Sequence, residues 1–145
     1  MIVLDVNLLI YAYDTTCPEH IKARGWLEDV FSGDESIGLP WQNLAAFLRI
    51  LTYPGTFGER FTTAQVIAII DAWLALPHVR TLAPGDHHWE LLQEMLVKGD
   101  VRGKLTTDAA LAALTVEYGG VLYTNDRDFA RFPGLRWVNP LAASV

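Results

Sequence analysis

Asp5, Asp108, Asp126 and Asp128 are the residues of this 145-residue chain whose types and placement point most directly to chemistry. Asp126 and Asp128 follow Val121-Leu122-Tyr123, an apolar run that suits a buried strand, with Thr124 and Asn125 between. Asp5 closes a second such run, Ile2-Val3-Leu4, and Asp108 falls in the first turn of an alanine-rich helical stretch. Like charges brought close repel, so carboxylates that meet need water to screen them or a cation to hold them together. Each acid has a plainer reading by itself. Asp108 beside Thr107 suits a helix start through the macrodipole, and Asp126 with Asp128 suits an Asx-type turn. Asp5, directly after a buried strand, has no evident capping duty. Jointly the four favour a metal site, and hard oxygen ligands suit Mg²⁺ or Mn²⁺, which keep several waters and bind substrate phosphates. Zinc fits poorly. The single cysteine, Cys17, and His20, His78, His87 and His88 show no ligand spacing beside these acids.

The elements that must bring the acids together can be read from periodicity and turn chemistry. Strands are predicted at Ile2–Leu4, Ser36–Leu39, Val79–Leu82, Val121–Tyr123 and Leu135–Val138. Helices are predicted over Asn7–Tyr13, from the Thr16-Cys17-Pro18-Glu19 start to about Phe31, and over Trp41–Leu51. Three more are predicted: one opening at Thr63, one over His87–Lys98, and one capped by Thr106 or Thr107 and reaching about Tyr118. The Pro54-Gly55 and Pro133-Gly134 pairs read as turns, and Phe57 as a plug on the loop after the first of them. Short strands alternating with helices predict an α/β three-layer sandwich with a mostly parallel central sheet, in one domain over residues 1–145. Ligands in such sheets bind beyond the carboxyl ends of the strands. Asp5 and Asp126 follow strand ends, and the first turn of the Asp108 helix faces the same rim.

Composition narrows the class. The apolar fraction of 51% and charged fraction of 19% describe a globular chain that can bury a core. One cysteine excludes an intrachain disulfide and fits a reducing compartment. The apolar start carries Asp5 and no basic leader, and the run Val66–Leu76 is too short to span a bilayer, so a cytoplasmic protein without membrane contact is expected. A net charge of −6 argues against gripping nucleic acid through a general basic field. It is compatible with a nucleic-acid enzyme whose acids bind a cation.

The order Asp5-Val6-Asn7, Trp41 with Phe47-Leu48-Arg49, Asp108 in its alanine-rich helix, Thr124-Asn125-Asp126-Arg127-Asp128-Phe129 and the tail Phe132 to Pro140 resembles PIN-domain ribonucleases. The VapC toxins of bacterial toxin–antitoxin pairs are the most similar branch, and the resemblance spans nearly the whole chain. It implies a PIN-like fold and a Mg²⁺- or Mn²⁺-dependent endoribonuclease, usually a homodimer, silenced by a VapB-type antitoxin. By the same resemblance Asp5, Asp108 and Asp126 hold metal, and Asp128 is an accessory acid, bound through water or structural. Asn7 and Thr124 orient the carboxylates or a metal-bound water. VapC proteins usually carry a glutamate on the helix before the FLR-like segment; the matching position here reads as Ala46, and no acid occurs from Leu39 through Tyr53. That departure implies weaker metal binding and one well-held ion rather than two.

The mechanism this implies is hydrolysis of an RNA phosphodiester by a metal-activated water. Arg102 and Lys104, ahead of Asp108, and Arg127 and Arg131, near Asp126, are candidates to engage the RNA backbone, against a reading as ordinary surface charge. The competing function is a PIN-like module that lost chemistry at Ala46 and binds antitoxin or RNA. Aspartyl phosphotransfer fits less well, because Asn7 stands where a second aspartate is needed. Of the five tryptophans, Trp26, Trp41 and Trp73 are candidates for the antitoxin surface, with Trp26 and Trp73 most simply core residues.

Overall fold

The computed structural model describes residues 1–54 and 61–142. Gly55 of the expected turn and Phe57 lie outside them. Strand β1 (Ile2–Leu4) leads into helix α1 (Val6–Tyr13), then α2 (His20–Ser32), β2 (Ile37–Pro40), α3 (Trp41–Thr52) and α4 (Thr63–Leu74). Strand β3 (Val79–Leu82), α5 (His88–Lys98), α6 (Leu105–Glu117), β4 (Val121–Tyr123), a 3-10 segment (Arg127–Arg131) and β5 (Trp137–Val138) complete the order.

The five strands form one sheet in the order β3-β2-β1-β4-β5, and all four pairings are parallel. The chain therefore builds outward from β1 in one direction through β2 and β3, and in the other through β4 and β5. The reversal places a crevice between the carboxyl ends of β1 and β4, where Leu4 pairs with Tyr123. Alternation along the strands divides the core. Ile2, Leu4, Ile37 and Leu39 face one layer with Leu9, Phe47, Val66 and Trp73 of α1, α3 and α4. Val3, Leu82 and Leu122 face the other, against Met95 of α5 and Ala112, Ala113 and Leu114 of α6. At Gly38 on that second face a Cβ would lie 2.6 Å from Leu82 Cδ1 and 2.8 Å from Met1 Sδ, so a larger residue needs those side chains to move.

Several element boundaries differ from the sequence reading, each for a local reason. Helix α2 begins at His20, and Thr16 does not cap it. The carboxylate of Asp14, itself 1% exposed, takes the Thr16 hydroxyl at 2.6 Å, the Thr16 N–H at 3.0 Å and the Cys17 thiol at 3.0 Å. Thr16 is thereby spent on the loop between α1 and α2. Helix α6 begins at Leu105 without a side-chain cap, so Thr106 and Thr107 lie inside its first turn. Thr62 caps α4 in a reciprocal box with Gln65. The last strand is shorter than expected, because Leu135 and Arg136 precede the paired residues Trp137 and Val138.

Candidate metal centre

Asp5 stands at the N-cap of α1, yet its side chain caps nothing. Its backbone N–H donates to the Tyr123 carbonyl at 3.0 Å, which continues the β1–β4 pairing one residue past Leu4. The carboxylate, 6% exposed, turns into the crevice, where Thr124 Oγ1 donates to its Oδ2 at 2.7 Å. Thr124 is fully buried and works in two directions, since the same oxygen accepts the Asp126 N–H at 3.0 Å. One hydroxyl thus ties the end of β1 to the loop after β4.

Asp126 continues the chain of contacts. Its Oδ1 accepts the Asp128 N–H at 2.9 Å and so caps the 3-10 segment, leaving Oδ2 as its free oxygen. Asp128 joins this network through its backbone, and its side chain is exposed. Asp108, half-buried in the first turn of α6, is coupled to the others by charge. Burial pushes its carboxyl up to about 6, with Asp126, Asp5 and Asp128 adding to the rise and Arg131 opposing it. Burial also raises Asp5 above the ordinary carboxylate range, with the Thr124 hydrogen bond acting against the rise and the charge of Asp126 adding to it. Acids that feel one another's charge across three separate segments share one rim of the sheet.

The donor set is carboxylate oxygen with hydroxyl support, which fits a hard divalent cation and excludes a thiolate or imidazole site. Asp5, Asp108 and Asp126 are the residues that could hold such an ion. Among the described residues no group of three or more Asp, Glu, His or Cys side chains stands arranged to hold a metal ion.

The remaining sequence candidates divide by position. Asn7, on the first turn of α1, is half-buried, and its side chain makes no hydrogen bond among the described residues. Arg102 and Lys104 are exposed just ahead of α6, either side of Gly103, whose φ of 57° turns the loop. Arg127 is exposed on the 3-10 segment, and Arg131 reaches the Gly99 carbonyl at 3.3 Å. Ala46 is half-buried on α3.

Two residues near this rim escaped the sequence reading. Asn43, on the first turn of α3, is 4% exposed and donates through Nδ2 to the Leu4 carbonyl at 2.7 Å. Its signal was present, since it interrupts the apolar stripe of Leu44, Phe47 and Leu51. Tyr11 of α1 meets Asn125 across the crevice, with Oη 3.4 Å from Nδ2; periodicity alone marks it as a helix residue.

Away from the acids, α2 and α4 flank an open groove of about 570 Å³ lined by Tyr13, Phe31, Ala68, Ile69, Ala72 and Trp73. Trp73 forms its floor, 5% exposed and stacked on Phe31 at 5.6 Å. Trp26 stacks on Tyr123 at 5.5 Å instead, and Trp41 is 54% exposed.

Comparison with known proteins extends these observations. The family model described as PIN domain matches residues 2–135. Ribonuclease VapC33 of Mycobacterium tuberculosis is 40% identical over 141 residues, covering 97% of this chain and 99% of that protein. Among solved structures, VapC20 of Mycobacterium tuberculosis, a Sarcin-Ricin loop cleaving toxin, aligns with a TM-score of 0.67 at 19% identity, over 94% of this chain and 99% of that one. VapBC-1 from nontypeable Haemophilus influenzae aligns with a TM-score of 0.67 at 22% identity, over 98% and 100%. At those identities the structural likeness establishes the shared fold.

Proposed function

The chain belongs to the PIN-domain family, and from that premise we propose that it is a Mg²⁺- or Mn²⁺-dependent endoribonuclease, the toxin of a toxin–antitoxin pair. The observation that carries this reading is the Asp5–Thr124–Asp126 hydrogen-bond chain at the β1–β4 crevice, with Asp108 coupled to it by charge. The ribonuclease names of relatives such as VapC33 support the same reaction.

A divalent ion bound there supplies a polarised water near neutral pH and charge to stabilise the phosphoryl oxygens. The protein's part is placement. Thr124 fixes the orientation of Asp5, and Asp128 N–H fixes one oxygen of Asp126 so that the other points free. Asp108 supplies a third carboxylate from the opposite layer. Burial of Asp5 keeps bulk water from competing for its oxygens. Asp128 acts as an accessory acid, and Asn7 orients water at the margin. Arg102 and Lys104, just ahead of Asp108 in sequence, and Arg127 and Arg131, just after Asp126, engage the RNA backbone in this reading, on a chain whose overall charge is −6.

The groove between α2 and α4 is proposed as the seat of a VapB-type antitoxin; a solved structure of the same fold is a toxin–antitoxin complex from Klebsiella pneumoniae. An amphipathic helix laid against Ala68, Ile69 and Ala72 would bury its apolar face there. Trp73 serves as the floor, and Trp26 and Trp41 lie outside the lining. In this reading the protein acts as a single domain, paired as a homodimer, in the cytoplasm. Separately, no described helix is long and apolar enough to cross a membrane.

One observation favours a second reading. Helix α3 carries no carboxylate from Trp41 to Thr52, which suits a PIN-like module that binds RNA or antitoxin without cutting. Incubating antitoxin-free protein with RNA and Mn²⁺ separates the two. Cleavage lost on Asp5→Asn supports the nuclease, whereas no cleavage of any RNA by the wild-type protein supports the binding module.

A further inference from the structure

Trp41 is the first residue of α3 and follows Pro40, the last residue of β2, without a break. Strand β2 lies beside β1 in parallel register, with Ile2 opposite Ile37 and Val3 opposite Gly38. The strand end that delivers Trp41 therefore stands next to the one that delivers Asp5, on the same carboxyl rim of the sheet. The core stripe of α3 is Leu44, Phe47 and Leu51, all buried, and Trp41 is no part of it. At 54% exposure a large aromatic ring is left partly in water on this rim.

An open pocket of about 520 Å³ extends from the indole along the edge strand of the sheet, lined by Trp41, Leu74, Val79, Arg80 and Thr81. Arg80 of β3 pairs with Gly38, two residues short of Pro40, which sets it roughly 7 Å back from the strand end. Its guanidinium lies over the Tyr118 ring, 5.3 Å from the centroid. Tyr118 is itself fixed, because its hydroxyl donates to the Ala83 carbonyl at 2.8 Å. Arg80 is exposed, takes part in none of the ion pairs among the described residues, and shares the pocket with no acid. On a chain of net charge −6, such a pocket is a local exception that favours an anion.

An exposed indole beside an unpaired guanidinium suits a ligand with a flat face and a negative charge. Indole faces stack on nucleobases of any identity, and an arginine with free N–H groups takes a phosphate through a charge-assisted fork. An acidic peptide would engage Arg80 and leave the indole bare, whereas a nucleic-acid strand uses both. We propose that Trp41 and Arg80 form a subsite for the single-stranded RNA that flanks the bond to be cut: a base stacks on Trp41 and Arg80 takes a phosphate of the same strand. This rests on the reading of RNA as the substrate at the Asp5 rim, and it concerns binding alone.

The test is fluorescence anisotropy of a fluorescein-labelled, mixed-sequence single-stranded RNA with the full chain, in chelator so that nothing is cut, over a range of salt. Melting temperature and sedimentation are recorded for each variant. Trp41→Ala is expected to weaken binding about 5- to 100-fold with the salt slope unchanged, and Trp41→Phe to keep most of the affinity. Arg80→Gln is expected to weaken it about three- to tenfold and to lower the slope of log affinity against log salt by about 0.7, one phosphate's share on a single strand. Trp89→Ala removes another exposed tryptophan, on α5 in the opposite layer, and is expected to bind as wild type does. The inference is overturned if Trp41→Ala and Arg80→Gln both bind within about twofold of wild type, or if Trp89→Ala weakens binding as much as Trp41→Ala. It is also overturned if Trp41→Ala changes the sedimentation of the protein and not its RNA affinity, which assigns this face to a second copy of the chain. Should Trp41→Ala fail to fold, Trp41→Phe and the salt slope of Arg80→Gln decide the matter. Wild-type protein that binds this RNA and cuts none with Mn²⁺ loses the nuclease reading and keeps the subsite; wild-type protein that neither binds nor cuts RNA loses both.

Discussion

Thr124 Oγ1 donates to Asp5 Oδ2 at 2.7 Å across 119 residues of sequence, and both side chains are buried. The same hydroxyl receives the Asp126 N–H, so one side chain ties together two acids that follow different strands. Thr124→Val keeps the shape and removes both bonds. Cleavage by this variant is expected to fall about 10- to 100-fold, and Thr124→Ser is expected to retain most of it. Single-turnover assays at saturating Mn²⁺ check this.

The metal-free protein should be less stable near neutral pH than in mild acid. Burial and neighbouring charge raise Asp108 to about 6 and also raise Asp5, so the folded state holds protons that the unfolded chain has released. Asp108 therefore makes stability fall as pH rises from about 4 through about 6, and Asp5 adds a loss of the same sign. Asp108→Asn removes part of this dependence and is expected to melt higher than the wild type at pH 7 without metal. Thermal melts with a chelator across pH 4 to 8 read the slope directly.

Asp14 is a structural acid with no part in the metal centre. Burial opposes its charge, yet the hydrogen bonds from Thr16 and Cys17 hold its carboxyl below the usual range. Asp14→Ala leaves those donors unpaired and is expected to lose about 1.5–3 kcal/mol of stability. Its Mn²⁺ affinity should be unchanged. Urea unfolding together with calorimetry separates the two effects.

The groove between α2 and α4 predicts a surface separable from catalysis. Ala72→Arg places a long charged side chain on its exposed wall. Affinity for the cognate VapB-type antitoxin should drop at least about 100-fold, a charge buried without a partner. RNA cleavage by the free toxin should stay as it was. A titration with the antitoxin and a cleavage assay on the same preparation check both halves.

Much of this arrangement was legible in the sequence because two periodicities and one topological rule carry it. The apolar runs at Ile2–Leu4 and Val121–Tyr123 declare strands, and a parallel sheet sends both strand ends to one rim, which brought Asp5 and Asp126 together on paper. The less legible parts depend on competition between neighbours. Thr16 reads as a helix cap until Asp14 is seen to claim its hydroxyl. The rotational phase of α3, which turns Asn43 toward Leu4, shifts by about 100° per residue, so a one-residue ambiguity in aligning the helix changes the facing residue. The groove lined by Phe31, Ala72 and Trp73 needs the separation of two helices that no local pattern encodes.

If Asp5, Asp108 and Asp126 hold a divalent cation on which RNA cleavage depends, cleavage must follow both the metal and the acids. The most direct measurement is RNA cleavage by antitoxin-free protein over a Mn²⁺ titration, run in parallel with Asp126→Asn. Cleavage should rise with Mn²⁺, vanish with chelator and fall at least about 100-fold in the variant at every Mn²⁺ concentration. Undiminished cleavage by chelator-treated protein, or by Asp126→Asn, would contradict it.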